Sequence, residues 1–189
     1  MADSVTICNK ALVFLGQDTI STLLDDNKRA RVCSTVYDDC LEEFLSEGDW
    51  SFAKKLATLT AETTSPNHDY SYAFEFPDDF VRLVKDREKA VYGSDDWLVI
   101  GDQIHCNDSS IYICYIYSND DLNTWTAKAR TALSYLVASQ VGVALTGEDS
   151  RARMAYELYQ KTLQDALSDD ASGAGYQVNE YHTYIEERK

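Results

Sequence analysis

The side chains most able to do chemistry in this sequence are five cysteines, three histidines and a series of neighbouring acids. Cys33 and Cys40 stand seven residues apart. On a helix they share a face but sit ~10 Å apart along the axis. One zinc ion, with bonds to sulfur of ~2.3 Å, cannot use both. His105 and Cys106 are adjacent, so on a strand they point to opposite faces. The cysteines therefore read as small buried hydrophobes, and no metal site is expected. No G-x-S-x-G elbow and no phosphate-cradling glycine loop occurs, so neither a nucleophile nor a cofactor site is expected. His68 lies in a polar turn, His105 in a hairpin and His182 near the C-terminus, and each is expected at the surface. Acidic pairs such as Asp25-Asp26, Asp78-Asp79 and Asp120-Asp121 lack the separation of ~5–10 Å that a glycosidase needs across its cleft. Most fall at the ends of elements, where they would cap helices or stay solvated. The expectation is a protein without catalytic residues.

The aromatic residues say more. Thirteen tyrosines and three tryptophans are many for 189 residues. Tyrosine covers a large area at small entropic cost and keeps a polar tip, which suits interfaces. Tyr70, Tyr72, Phe74 and Phe76 fit core packing as well as contact. Tyr176, Val178, Tyr181, Tyr184 and Ile185 follow a Gly/Ser/Ala spacer and read as an arm that orders on a partner.

The net charge of −15 argues against ordinary nucleic-acid binding, which depends on Lys and Arg neutralising phosphates. No basic leader precedes the apolar run of "MADSVTICNKALVFLG", which Asn9 and Lys10 break. Neither a signal peptide nor a membrane span is expected, and the odd cysteine count suits reduced thiols in a protein made in the cytoplasm.

The elements that would position these residues follow from periodicity. A helix is predicted over 4–15, with Gly16 as its closing glycine. A second is predicted over 26–46, opened by Asp25 or Asp26, with the stripe Ala30, Cys33, Tyr37, Cys40, Leu41 and Phe44. Gly48 would end it. The stretch "EGDWSFAKK" (47–55) then marks a change of period, with Gly48, Trp50 and Phe52 as a structural seam. "YSYAFEFP" alternates as a strand, "WLVIGDQIHC" reads as a hairpin turning at Gly101-Asp102, and "IYICYIY" (111–117) is apolar on both faces, as a central strand would be. Helices resume over 121–146, with Leu122, Trp125, Ala129, Leu133, Leu136, Val137, Gln140 and Ala144 on one side, and over 150–168, with Ala155, Leu158, Tyr159, Thr162, Leu163 and Ala166 buried. Gly147 closes the first of these, and "SDDASGAG" is expected as a spacer. The expected fold is mainly α with a β-rich insert (α+β). A discontinuous antiparallel helical bundle (1–50 and 119–168) would carry a small antiparallel sheet (51–118) and an extended arm (169–189).

Several words in this order resemble one family. "ICNKALVFLG" (7–16), "DDNKRARVCSTVYDDCLEEFL" (25–45), "DWSFAKK" (49–55), "FEFPDDF" (74–80), "LVASQVGVALTG" (136–147) and "YELYQKTLQDA" (156–166) are similar to segments of the head-to-tail adaptors of short-tailed phages, the tail tubular protein A group. The match covers about residues 4–168 and reaches the arm only in character. The resemblance implies a structural virion protein made in the host cytoplasm. It implies a homo-oligomeric ring, twelve-membered, that joins the portal protein to a tail tube or nozzle protein at the head-tail junction. DNA would pass through the lumen unbound, with no cofactor and no membrane. By that resemblance Tyr176, Val178, Tyr181, Tyr184 and Ile185 would anchor the portal. The β insert, with Trp97, Asp102 and His105, would face the nozzle. Two other readings stay open: a phage-tail carbohydrate or cell-wall hydrolase, and a related head-closure or tail-completion protein.

Overall fold

The computed structural model describes residues 3–61, 63–64, 69–85 and 89–173. The arm residues Tyr176, Val178, Tyr181, Tyr184 and Ile185, together with His68 and His182, lie outside the described residues. The fold is α+β, with four helices and two small antiparallel sheets.

Helix α1 (Ser4–Phe14) begins where the Asp3 carboxylate accepts from Thr6 N at 2.8 Å. It ends as predicted at Gly16, whose φ of 73° lets Gly16 N donate to Val13 O and Gln17 N to Leu12 O. Asn9, in the middle of α1, imitates a strand partner. Its Nδ2 donates to Ile20 O at 2.9 Å, and its Oδ1 accepts from Ile20 N at 2.8 Å. The connection after α1 is thereby pinned back on the helix.

Helix α2 (Lys28–Ser46) buries every residue of its predicted stripe, but Asn27 caps it rather than Asp25 or Asp26. The Asp25 carboxylate is occupied earlier. It accepts from Ser21 N at 2.8 Å and from the Thr22 hydroxyl at 2.9 Å, bonds that hold its carboxyl below the usual range.

A single 3-10 turn, Ser51–Ala53, leads into the strands. They are β1 (Lys54–Thr60), β2 (Thr63–Thr64), β3 (Tyr72–Glu75), β4 (Phe80–Leu83), β5 (Val91–Tyr92), β6 (Trp97–Ile100), β7 (Gln103–Cys106) and β8 (Ser110–Tyr117). Where one sheet was expected, two form. The first runs β1-β8-β4, with β5 also on β8; the second runs β2-β3-β7-β6. The hairpin at Gly101-Asp102 is as predicted, with Ile100 paired to Gln103.

Strand β8 explains its own composition. Cys114 and Ile116 face the helices, while Ile111, Ile113 and Tyr115 enter a second core with Phe74, Val91 and Ile104. One strand is a wall of both cores, so it is apolar on both faces. Phe74 is buried as its alternation requires, yet Ala73 on the opposite face is also buried.

Helix α3 (Ala127–Thr146) starts six residues later than predicted, capped by Thr126. The sequence before it closes on itself. Asp121 N donates to Asn119 Oδ1, Asn123 N to Asp121 Oδ1, and the Thr124 hydroxyl to Asp121 O. Such local side-chain bonds compete with the helical ladder and win here. Leu122 and Trp125 are buried nonetheless. Gln140 and Ala144 are exposed, contrary to the predicted stripe. The buried residues of α3 spread round the helix instead, because it packs against α1, α2 and α4. Gly147 closes α3 in the left-handed region, at φ 75°.

Helix α4 (Asp149–Gly173) runs through the expected "SDDASG" spacer. Its buried face is Ala155, Tyr159, Leu163 and Ala166, with Leu158 and Thr162 half-buried. It packs tightly on α3 at Gly142, where an added Cβ would lie 2.9 Å from Ala152 Cβ.

Candidate functional site

The seam between helices and strands is built from four rings. Phe44 on α2 stacks on Trp50, Trp50 on Phe52, Phe52 on Trp125, and Trp125 back on Phe44, with centroids 4.7 to 5.3 Å apart. The cycle therefore joins the chain entering the insert to the chain leaving it. Trp50 is fully buried, and its Nε1 donates to Phe44 O at 3.1 Å, adding to the 3.3 Å bond that this carbonyl accepts from Glu47 N at the end of α2.

Two polar residues complete the joint. Asn119 is buried; its Nδ2 donates to Phe52 O at 2.6 Å and to the Thr124 hydroxyl at 3.0 Å. Asp170, near the end of α4, accepts from Ser51 N and from the Ser51 hydroxyl, each at 2.7 Å. A carboxylate near a helix C-terminus opposes the helix dipole, and here the two charge-assisted bonds to Ser51 offset that. This anchor is also why α4 continues past its predicted end.

Gly48 does not take a left-handed backbone, as a closing glycine would. It is required for space: an added Cβ would run into the Leu167 side chain and lie 2.8 Å from Trp50 Cε2. Leu167 can rotate away, but the stacked indole cannot. Gly48→Ala is expected to destabilise the protein by about 1–3 kcal/mol, the usual cost of overpacking, read as a lower midpoint in urea at unchanged slope.

The far end of the insert departs from expectation. Asp102 is exposed at the hairpin tip, but Trp97 is half-buried against the second core and His105 is buried at 2% exposure. His105, on β7 between β3 and β6, is therefore not a surface residue. The exposed residues are Leu98, Val99 and Ile100, three consecutive apolar side chains on β6. An exposed apolar edge strand calls for a partner. The signal lay in "WLVI", four apolar residues beside a two-residue turn with no polar alternation. Between β4 and β6 runs an open groove of about 550 Å³, lined by Phe76, Phe80, Leu83 and Val99 with Arg82 and Asp102. Phe76 and Phe80 stack with centroids 3.9 Å apart. Arg82 pairs with Asp49 at 2.5 Å, tying the groove to the seam.

The titratable groups have structural surroundings. The hydrogen bond to Cys33, with burial added, holds the Cys8 thiol well above its ordinary range, and burial pushes Cys40 up to about 12. Both stay protonated, and a protonated thiol is a poor nucleophile. Burial alone would raise Asp79. Bonds from Lys55 at 2.6 Å and from the Tyr115 hydroxyl at 2.9 Å outweigh it and hold the carboxyl below its usual value. Among the described residues, no cluster of His, Cys, Asp or Glu could hold a metal ion, and no helix is long and apolar enough to cross a membrane.

The structure thus brings Gly48, Trp50 and Phe52 together in one joint and separates them from Asp102 at the insert tip. No protein-family model matches the chain, and no curated protein matches it.

Proposed function

We propose that this chain is a structural connector of a phage virion, a ring-forming adaptor between the portal and the tail tube or nozzle. The observation that supports this best is that three of the words resembling that family fall at joints of this fold. Asn9 in "ICNKALVFLG" pins the first connection, Trp50 and Phe52 in "DWSFAKK" supply two of the four rings of the cycle, and "LTG" supplies the left-handed stop at Gly147. Residues spent on joints suit a protein whose task is to hold two neighbours at a fixed distance. A body of helices and an insert, locked by the seam, gives such a protein two ends for two partners.

The charge fits the same reading. A ring of acidic chains presents a wall that repels DNA phosphates, so a genome can slide through without sticking. The connector would sit at the head-tail junction and would need no cofactor.

The test is assembly with the portal protein of the same phage. Because α4 continues to Gly173 and Asp170 holds the seam, truncation belongs after 173. The full chain is expected to form rings of about a dozen copies on the portal, visible in negative-stain images. A chain ending at 173 is expected to keep its helical circular dichroism and lose attachment. Attachment undiminished by the truncation would remove the arm's assigned role, and a full chain that ignores the portal would overturn the connector reading.

A further inference from the structure

Among the strand edges left without a strand partner in the described residues, two carry exposed large apolar side chains, those of β6 and β1. β6 ends the second sheet and β1 ends the first. β1 lies over β3, whereas β4 and β6 face each other across the groove, so the two open edges sit on opposite flanks.

The backbone at both edges is poised to pair. Ile100 and Gln103 flank a two-residue turn and form its hydrogen-bonded pair, which leaves the N–H and C=O of Trp97 and Val99 pointing outward. On the other flank, Ala61 N donates to Ser109 O. Stepping back by twos assigns Leu59, Ala57 and Lys55 to bonds with β8 and turns the backbone of Leu56 and Thr58 outward. Apolar side chains accompany both edges: Val99 is 40% exposed and Leu56 68%. Charge distinguishes them. Asp102 stands just past the C-terminal end of β6 and Lys54 begins β1, and neither has an ion-pair partner among the described residues. Antiparallel pairing of β6 with a second β6 would set Asp102 of each copy near Asp95 and Asp96 of the other, a like-charge arrangement that is destabilising.

We propose that β6 of one copy adds antiparallel to β1 of a second copy, with Val99 opposite Leu56 and the Asp102 end against the Lys54 end. The edges are different and lie on opposite flanks, so the contact is heterologous and repeats head to tail. The inference deepens the connector reading and rests on it for closure of the series into a ring.

The experiment uses full-length Leu56→Cys and Val99→Cys variants. The described cysteines are all buried, so each introduced thiol is the accessible one. A hydrogen-bonded antiparallel pair has Cα atoms ~5.5 Å apart, within disulfide range. Mixed under mild oxidation, the two variants are expected to give the mixed dimer several-fold above either homodimer, and a chain carrying both changes is expected to give a ladder. Asp102→Lys in the Val99→Cys chain is expected to lower the mixed product several-fold, and Lys54→Asp in the Leu56→Cys chain to restore it. Statistical proportions, dominant homodimers of Val99→Cys, or no cross-link up to the solubility limit would overturn the pairing. Rings on the portal without the mixed cross-link would sink this contact and leave the connector reading standing. A ladder from a chain that ignores the portal would do the reverse.

Discussion

Trp50→Ala is expected to destabilise the protein by ~3–5 kcal/mol, the range for removing a large buried aromatic from a core. Three losses coincide at this side chain. Its fully buried indole leaves a cavity that Phe44 and Phe52, held by their contacts with Trp125, cannot close. Phe44 O loses the indole donor and keeps only a longer bond from Glu47 N, at 3.3 Å. The path into the insert also loses the ring that fixes its direction. Trp50→Phe separates the terms: it keeps most of the stack and removes the indole hydrogen bond, and is expected to cost about 1–2 kcal/mol. Urea unfolding followed by circular dichroism reads both. A Trp50→Ala protein as stable as the parent would show that the ring cycle does not hold the seam.

Asn119→Ala is expected to cost about 1–3 kcal/mol, because it removes the bonds of a buried side chain to partly buried partners. Phe52 O loses its donor, and Asp121 N loses the acceptor that shapes the turn before α3. Asn119→Asp discriminates further. It is nearly the same shape and still accepts from Asp121 N, but an ionised carboxylate cannot donate to Phe52 O and would face it across 2.6 Å. Asp is therefore expected to be at least as harmful as Ala at neutral pH and milder in acid, where a protonated carboxyl can donate. Equal stability of the three proteins would remove Asn119 from the joint.

What was legible in the sequence was local. Gly16 and Gly147 announce helix ends because a left-handed residue after a periodic run has few other meanings. The stripe of α2 and the apolar wall of β8 report burial on one side and on two. What escaped depends on contacts far apart in the chain. Asp170 extends α4 because it meets Ser51, and nothing within "SDDASG" announces that partner. His105 is buried on the face of β7 opposite Ile104 and Cys106, whereas its immediate neighbours in sequence suggest only a hairpin. Asn119, the main polar pin of the seam, resembles any loop asparagine until Phe52 is placed beside it. The exposure of Leu98, Val99 and Ile100 is legible only in the missing polar alternation of "WLVI", because their residue types alone read as core.

The shared wall formed by β8 also orders events in time. The insert is continuous from Lys54 to Tyr117, so its strands can all find their partners while the ribosome is still working. The bundle cannot do the same. The apolar stripe of α2 waits for α3, which, like α4, follows the insert in the chain. Until then Val84 after β4, with Cys114 and Ile116 on β8, offers α2 a surface to settle on. The β insert can thus serve as a template for the helices, and the bundle closes only after the insert has been made.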